Sequence, residues 1–350
     1  MNNALHKALN LQMPFVLYRK PHQQTVNGWF PESDRLIVEE KLTTSSFVFA
    51  PFIGSKKVVF YQKDSKIIQE NFVSNANFSN KDVPFITDES IQKKHVQLVE
   101  KGIEAIRSGM MQKVVLSRKE VVNIDKQEYA IYFQRFLHRY PTAFVYWWYH
   151  PNIGMWMGAT PEQLIFTEDL QLQTVALAGT MVDTNIDLNQ VVWGIKEQEE
   201  QKVVRDYIVD RLQDFCDTIE TTQPYTYRAG SLLHIKTDIY ATLHTAHHLQ
   251  NVIESLHPTP ALCGFPKEVA RDFIITHEGY DREYYGGFLG EWQCKKNDQT
   301  STDLFVNLRC MKIENDQASL YLGGGINKDS IPIDEYYETV NKSKTVKSIL

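Results

Sequence analysis

An α+β fold is predicted, and three features of the sequence predict it. Short runs rich in β-branched and aromatic residues recur along the whole chain, separated by Gly, Pro, Asn or Asp. A few helical stretches interrupt these runs. Their order lacks the regular strand-helix-strand alternation of a doubly wound sheet, so consecutive strands are expected to pair antiparallel.

Taken in order, residues 1 to about 90 mix "FVLYR", "SSFVFAPF" and "KKVVFYQ" with polar turns, as a meandering antiparallel sheet would. The segment 88–109 places Ile91, Val96, Val99, Ile103 and Ile106 mostly three or four apart and stops at Gly109, which predicts an amphipathic helix. A strand follows at 113–122. Further strands are expected at "TAFVYWWYH", "GMWMGAT", "QLIFTED" and "LQTVALAGT". Helical patterns cover about 187–218 and 266–279, and strand patterns return at "GFLGEW", "DLFVNLRCMKI" and "SLYLGGGI". A helix over 333–350 closes the chain. No repeat, low-complexity tract or obvious linker divides it.

At 350 residues, with 43% hydrophobic and 23% charged, the chain can bury a large core, and disorder is excluded. A net charge of −6 without a Lys/Arg cluster argues against nucleic acid as a partner. The first twenty residues lack an apolar signal core, and no run approaches the roughly 20 apolar residues of a membrane span. The expectation is a cytoplasmic protein with no membrane partner. Cys216, Cys263, Cys294 and Cys310 are far apart and form no C-x-x-C pair, so buried free thiols are expected.

Several residues could carry chemistry. Lys113 opens "KVVLSR"; a lysine there is ordinarily a solvated edge charge, and a partly desolvated amine acting as a general base is the alternative. Glu162 follows "GATP"; an acid so placed is often a helix or turn cap, whereas in a closed site it would stay protonated and donate to a leaving oxygen. The acidic run around Glu197 and Glu200 reads as a charged helix face. Its alternative depends on "DEYYETVNK", where Glu335, Glu338 and Lys342 share one helical face. A carboxylate from each helix meeting across a cleft would suit Mg²⁺, which takes few protein oxygens and keeps waters. Arg282 and Arg309 are candidates for binding a carboxylate bidentately, a structural salt bridge being the alternative for either. "YLGGGI" lacks the spacing of a nucleotide loop but allows a tight bend with exposed N–H groups. The loop "HPTPALCGFP" is too apolar for an ordinary solvent loop.

Together these motifs resemble the chorismate-utilising enzymes, the family of anthranilate, aminodeoxychorismate, isochorismate and salicylate synthases. The resemblance runs from about residue 93 to the C-terminus, through "KVVLSR", "GATPEQL", "ALAGT", the helix around Glu200, "HIKTDIYATL", "HPTPALCGFPKEVA", "DREYYGGFLG", "VNLRC", "GGGI" and "EYYETVNK". It implies a large antiparallel β-sandwich-like core with flanking helices, in one domain spanning 1–350. Within it, 1–92 would be a variable β-rich part and 93–350 the chorismate-binding core. It implies Lys113 as base and Glu162 as acid, with Glu200 and Glu338 as Mg²⁺ ligands and Glu197 and Glu335 as nearby acids. His234, Ala261, Leu262, Tyr285, Arg309, Gly323 and Lys342 fall where the family binds substrate.

Within the family, ammonia-using enzymes generally carry glutamine where this chain has Lys113, so water is the implied nucleophile. The "HPTPALCGFP" loop resembles the isochorismate synthase form, with Ala261 and Leu262 lining the ring pocket. The implied reaction is chorismate to isochorismate, for a quinone or a siderophore pathway, by a monomer with no obligate protein partner. Other readings are a salicylate synthase, an ammonia-using synthase with a separate amidotransferase, an inactive chorismate-binding protein and a two-carboxylate glycosidase. Three departures from the family pattern stand out: Glu200-Gln201 for "EH", Arg282-Glu283 for "RG", and Gly323-Gly324-Gly325 for "GAG". The second leaves Arg282 outside the implied site.

Overall fold

The structure is a computed structural model that describes residues 1–73, 88–229, 232–296 and 298–350. The part of the predicted N-terminal β-rich region at 74–87 lies outside the described residues.

Helix α1 (Asn2–Asn10) leads into strands β1 (Phe15–Arg19), β2 (Thr25–Pro31), β3 (Val38–Glu39), β4 (Ser46–Ala50), β5 (Lys57–Tyr61) and β6 (Ser65–Asn71). Then come α2 (Glu89–Arg107), β7 (Lys113–Asn123), α3 (Tyr129–Arg139), β8 (Phe144–His150), β9 (Gly154–Thr160), β10 (Gln163–Glu168) and β11 (Gln171–Val182). Helix α4 (Ile195–Leu212), β12 (Cys216–Thr221), β13 (Tyr225–Ala229), β14 (Leu232–Leu243) and α5 (Leu249–Leu256) follow. The chain ends with β15 (Gly264–Phe265), α6 (Lys267–His277), β16 (Phe288–Lys296), β17 (Gln299–Val306), β18 (Cys310–Glu314), β19 (Gln317–Ile326) and α7 (Pro332–Lys347).

The strands form two sheets. One runs β15-β7-β19-β18-β9-β8-β1-β2-β6; the other runs β12-β14-β11-β10-β17-β16-β4-β5-β3, with β13 added on β14. The strand pairs are antiparallel, as the sequence predicts. Strand β8 shows why "FVYWWY" is apolar throughout. Phe144, Tyr146 and Trp148 enter the core between the sheets, while Val145 and Trp147 enter a second core on the opposite face, beneath α1 and α3. A period of two sends alternate side chains to opposite faces, and here both faces are covered. A third core joins α2, β7 and α6.

Helix α2 is capped by Asp88, whose side chain accepts a 3.0 Å bond from Ile91 N. It lies close on β7 because Gly102 presents no side chain to Leu116.

Three differences from the sequence expectations have local causes. The helix expected at 187–218 is shorter, Ile195–Leu212. It starts after Gly194 in extended conformation, and the β-branched stretch beyond it pairs with β14 as β12. No element is expected over 129–139, where α3 buries Tyr132, Phe133, Phe136 and Leu137 on one face. The run "DLFVNLRCMKI" is two strands, because the chain leaves one sheet after Val306 and joins the other at Cys310.

Candidate active site

Two sheet-to-sheet corners place the first site residues. Between β9 and β10 the chain crosses at Pro161-Glu162, and between β17 and β18 it crosses back at Asn307-Leu308-Arg309. The corners are tied together: Val306 N donates to Glu162 O at 2.9 Å, and Ala159 N to Arg309 O at 3.2 Å. Both side chains line one pocket. Its wall also includes Glu200, His234, Ala261, Leu262, Tyr285, Gly323 and Lys342, with Leu177, Gly179, Thr180 and Tyr321 contributed by neighbouring strands.

Glu162 is buried, and burial pushes its carboxyl up to about 7 against the pull of Lys113, Arg309 and Lys342. A strand and not a helix follows it, so the helix-capping role considered for it does not apply. Arg309 sits in the left-handed region at φ 52° and donates to Thr345 Oγ1 at 3.3 Å. Among the described residues it forms no salt bridge, and burial lowers its guanidinium from the ordinary value. The other candidate arginine is structural. Arg282, 2% exposed, is paired with Glu278 and donates to the carbonyls of Leu262 and Val115 at 2.9 and 2.7 Å.

The apolar loop is pinned to β7. Gly264 and Phe265 pair with Val114 and Lys113, and Val115 N donates to Cys263 O at 2.8 Å. At Gly264 a Cβ would fall 2.3 Å from Lys113 O with φ +143°, so only glycine fits. Ala261 and Leu262 are thereby held in the pocket wall. Cys263 is wholly buried, its thiol pushed up to about 12 by burial, and the other three cysteines are likewise buried and free.

The same pairing covers the edge of β7, which removes the solvated-edge reading of Lys113. Its side chain is 3% exposed, with Nζ 2.9 Å from Glu200 Oε1. That contact is close but poorly aimed, and Nζ makes no hydrogen bond of proper geometry. Burial works against the charge on Glu200, but Lys113 overrides it and holds the carboxyl below the usual range, helped by Lys342 and Lys196. Gln201, where a histidine is usual, is buried and donates to Thr237 Oγ1 at 2.8 Å, tying α4 to β14.

On α7, Glu338 pairs with Lys342 at 2.5 Å, and Lys342 also donates to Gly323 O at 2.9 Å. Glu335 accepts from Lys196 at 2.6 Å. Its other oxygen, Oε2, is buried without a partner, and burial together with the charge of Glu338 raises its pKa. Glu335 Oε2 and Glu338 Oε1 both lie 3.4 Å from where a Cβ on Gly324 would stand. The carboxylates of α7 thus converge on the glycine run that also faces Glu200. Glu197 instead folds back on Gly194 at the start of α4.

Among the described residues, no group of three or more His, Cys, Asp or Glu side chains is arranged to hold a metal ion. The orphaned oxygen of Glu335 and the bare glycines beside Glu200 and Glu338 fit Mg²⁺, which needs few protein ligands when substrate and water complete its shell.

His234 Nδ1 lies 2.8 Å from Gly179 O and therefore carries the proton, since a carbonyl only accepts. Its Nε2 is a buried acceptor with no partner, and burial plus the nearby Arg309 hold the ring down to about 3, so it stays neutral. The Tyr285 hydroxyl would stand 2.6 Å from a Cβ at Gly323. Gly179 and Thr180 of the "ALAGT" run, which the sequence alone leaves without a role, face His234. The sequence alone also passes over Lys196, whose only signal is its place one helical turn before Glu200.

The described residues contain no helix long and apolar enough to cross a membrane. A family model described as "Chorismate binding enzyme" matches residues 48–350. The isochorismate synthase MenF of Escherichia coli K12 is 29% identical over 261 residues, which is 73% of this chain and 59% of that protein. The salicylate biosynthesis isochorismate synthase of Pseudomonas aeruginosa is 30% identical over 259 residues, 72% of this chain and 53% of that protein. The aligned region therefore spans little more than half the length of either relative. The solved structure of MenF, the menaquinone-specific isochorismate synthase of Escherichia coli, superposes with a TM-score of 0.78 at 21% identity, covering 96% of this chain and 88% of the other.

Proposed function

Because the chain belongs to the chorismate-binding enzymes, we propose that it is an isochorismate synthase, adding water at C2 of the chorismate ring as the C4 hydroxyl departs. The observation that carries this reading is the placing, on either side of Glu200 and Gly325, of the buried Lys113 amine and a Glu162 carboxyl that keeps its proton to about pH 7. A module that only binds needs neither group. The names of the relatives support the same product.

In the proposed step, the Lys113 amine takes a proton from water as the water oxygen bonds to C2. The ring π pairs move from C1=C2 to C1=C6 and from C5=C6 to C4=C5. The C4–O bond breaks, and the leaving oxygen keeps its electron pair and takes the proton of Glu162. One water enters and one leaves. Arg309 and Lys342 meet the substrate carboxylates, and Nε2 of neutral His234 accepts from a substrate hydroxyl. Glu200 and Glu338 would hold Mg²⁺, which when bound neutralises the ring carboxylate and draws electron density from the diene. With water as nucleophile the reaction needs no amidotransferase, so we read the chain as acting without an obligate partner.

Purified protein given chorismate and Mg²⁺ is expected to yield isochorismate, followed by chromatography. Salicylate and pyruvate as the main products would move the assignment to a salicylate synthase. Chorismate bound in equilibrium dialysis without turnover would make the chain a binding protein.

A further inference from the structure

A second space reaches the same reacting centre. A cleft of about 660 Å³ opens behind β19, between the end of α2, the turn before β7, α4 and the chain after β19; its walls include Met111, Val203 and Asn327. Glu200 and Gly325 line both this cleft and the pocket, Lys113 lines only the cleft, and Glu162 lines only the pocket. The proposed base and acid therefore border different spaces. Lys113 borders the cleft, and its Nζ is buried with no properly formed hydrogen bond.

We infer that the two spaces divide the reactants: the ring substrate occupies the front pocket, and the attacking water reaches Lys113 from the cleft behind β19. The inference rests on the water-adding reading above. A ring seated against Leu177, Leu262 and Leu308 displaces water from the front pocket, since such pockets bury most of a ligand's surface. The nucleophile must then arrive from a side the ring does not block. Where the cleft meets Lys113 and Glu200, an entering water would find two polar partners, as many as a held water needs. Gly325 lets Glu200 and Lys113 close in on β19 at the boundary of the two spaces: a Cβ there would stand 2.2 Å from Glu200 Oε1 and 3.2 Å from Lys113 Cε. Balance is preserved, because the water drawn from the cleft forms the C2–O bond and the water released from C4 leaves on the front side.

The test fills the cleft from two walls, with Val203→Trp on α4 and Asn327→Trp after β19, in the full-length protein with Mg²⁺. Each folded variant is expected to lose about tenfold or more in kcat, while KM and chorismate affinity by equilibrium dialysis stay within about twofold of wild type. A kcat within about twofold of wild type in either folded variant overturns the inference. So does a matching loss of chorismate binding, which would make the cleft part of the substrate pocket. Wild-type protein that makes no isochorismate removes the water-adding reading itself, a failure visible before any variant is measured.

Discussion

Gly325→Ala is the sharpest single test of the site geometry. The added methyl would stand 2.2 Å from Glu200 Oε1, 3.0 Å from Glu200 Cδ and 3.2 Å from Lys113 Cε. Unbonded carbon and oxygen settle at roughly 3.3 Å or more, so the carboxylate must retreat by about 1 Å. The backbone is not at fault: residue 325 pairs with Val115 in a regular ladder and does not have positive φ, so alanine is tolerated there. Displacement by about 1 Å costs on the order of 10²-fold in rate, or about 2.7 kcal/mol of transition-state stabilisation. Steady-state isochorismate formation is expected to show that loss, while the urea midpoint reports stability within about 1 kcal/mol of wild type. Glu200→Asp in the Gly325→Ala background withdraws the carboxylate and is expected to recover part of the rate, a coupling the double-mutant cycle measures. A folded Gly325→Ala enzyme with kcat/KM within about threefold of wild type would refute the reasoning.

Glu162→Gln is expected to lower kcat by about 10²- to 10⁴-fold. In wild type kcat/KM falls as pH rises through about 7, because the acid ionises, and the variant lacks that limb. The same proton sets a stability difference. Between the ordinary 4.5 and about 7 the folded protein holds a proton that the unfolded chain has lost, so stability falls as pH rises, and Glu162→Gln is expected to melt higher than wild type above pH 7. Chelation is expected to abolish turnover and Mg²⁺ to restore it, with Glu338→Gln raising the Mg²⁺ concentration needed for half-maximal activity; turnover indifferent to chelator would remove the metal from the proposal. Lys113→Ala, with its circular dichroism unchanged, is expected to have no measurable turnover, and retained activity would end its role as base. Arg282→Met leaves Glu278 buried without its partner and is expected to cost about 3–5 kcal/mol in urea denaturation; an unchanged midpoint would contradict the structural role.

The antiparallel α+β reading was legible because β-branched and aromatic runs state a period of two, and both faces of strands such as β8 are buried, which keeps those runs apolar. Lys113 shows what the sequence withholds. Its neighbours on β7 predict a strand but not that a two-residue strand from the "HPTPALCGFP" loop will cover it 150 positions later. Arg282 and Arg309 look alike as sequence, each in a Gly- or Asn-containing turn. Only the placement of Glu278 four residues before Arg282 separates the structural guanidinium from the open one. Helix α3 escaped notice because its aromatic-rich face, "YAIYFQRFLHR", carries residues common to strands. The division of Lys113 and Glu162 between two spaces is beyond any pattern along the chain, since it depends on which side of β19 each side chain falls.

The corner residues suggest why the site is built where the sheets exchange strands. A strand interior offers side chains to one face or the other, whereas a crossover ends both ladders and can turn a side chain into the gap between sheets. Arg309 takes left-handed backbone there, at a cost of order 1–3 kcal/mol for a residue with a Cβ, and among the described residues its half-buried guanidinium has no carboxylate partner and donates to Thr345. Folding alone gains nothing from that arrangement; a bound carboxylate does. The charges lining the site agree. Apart from the proposed base Lys113, the cations Lys196, Lys342 and Arg309 balance Glu200, Glu335 and Glu338, with Glu162 protonated. A dicarboxylate bound alone would leave two uncompensated negative charges in a buried site, at a large desolvation cost. Bound with a divalent cation, it leaves the balance where folding set it, so the proposed Mg²⁺ and substrate are expected to bind each more tightly in the presence of the other.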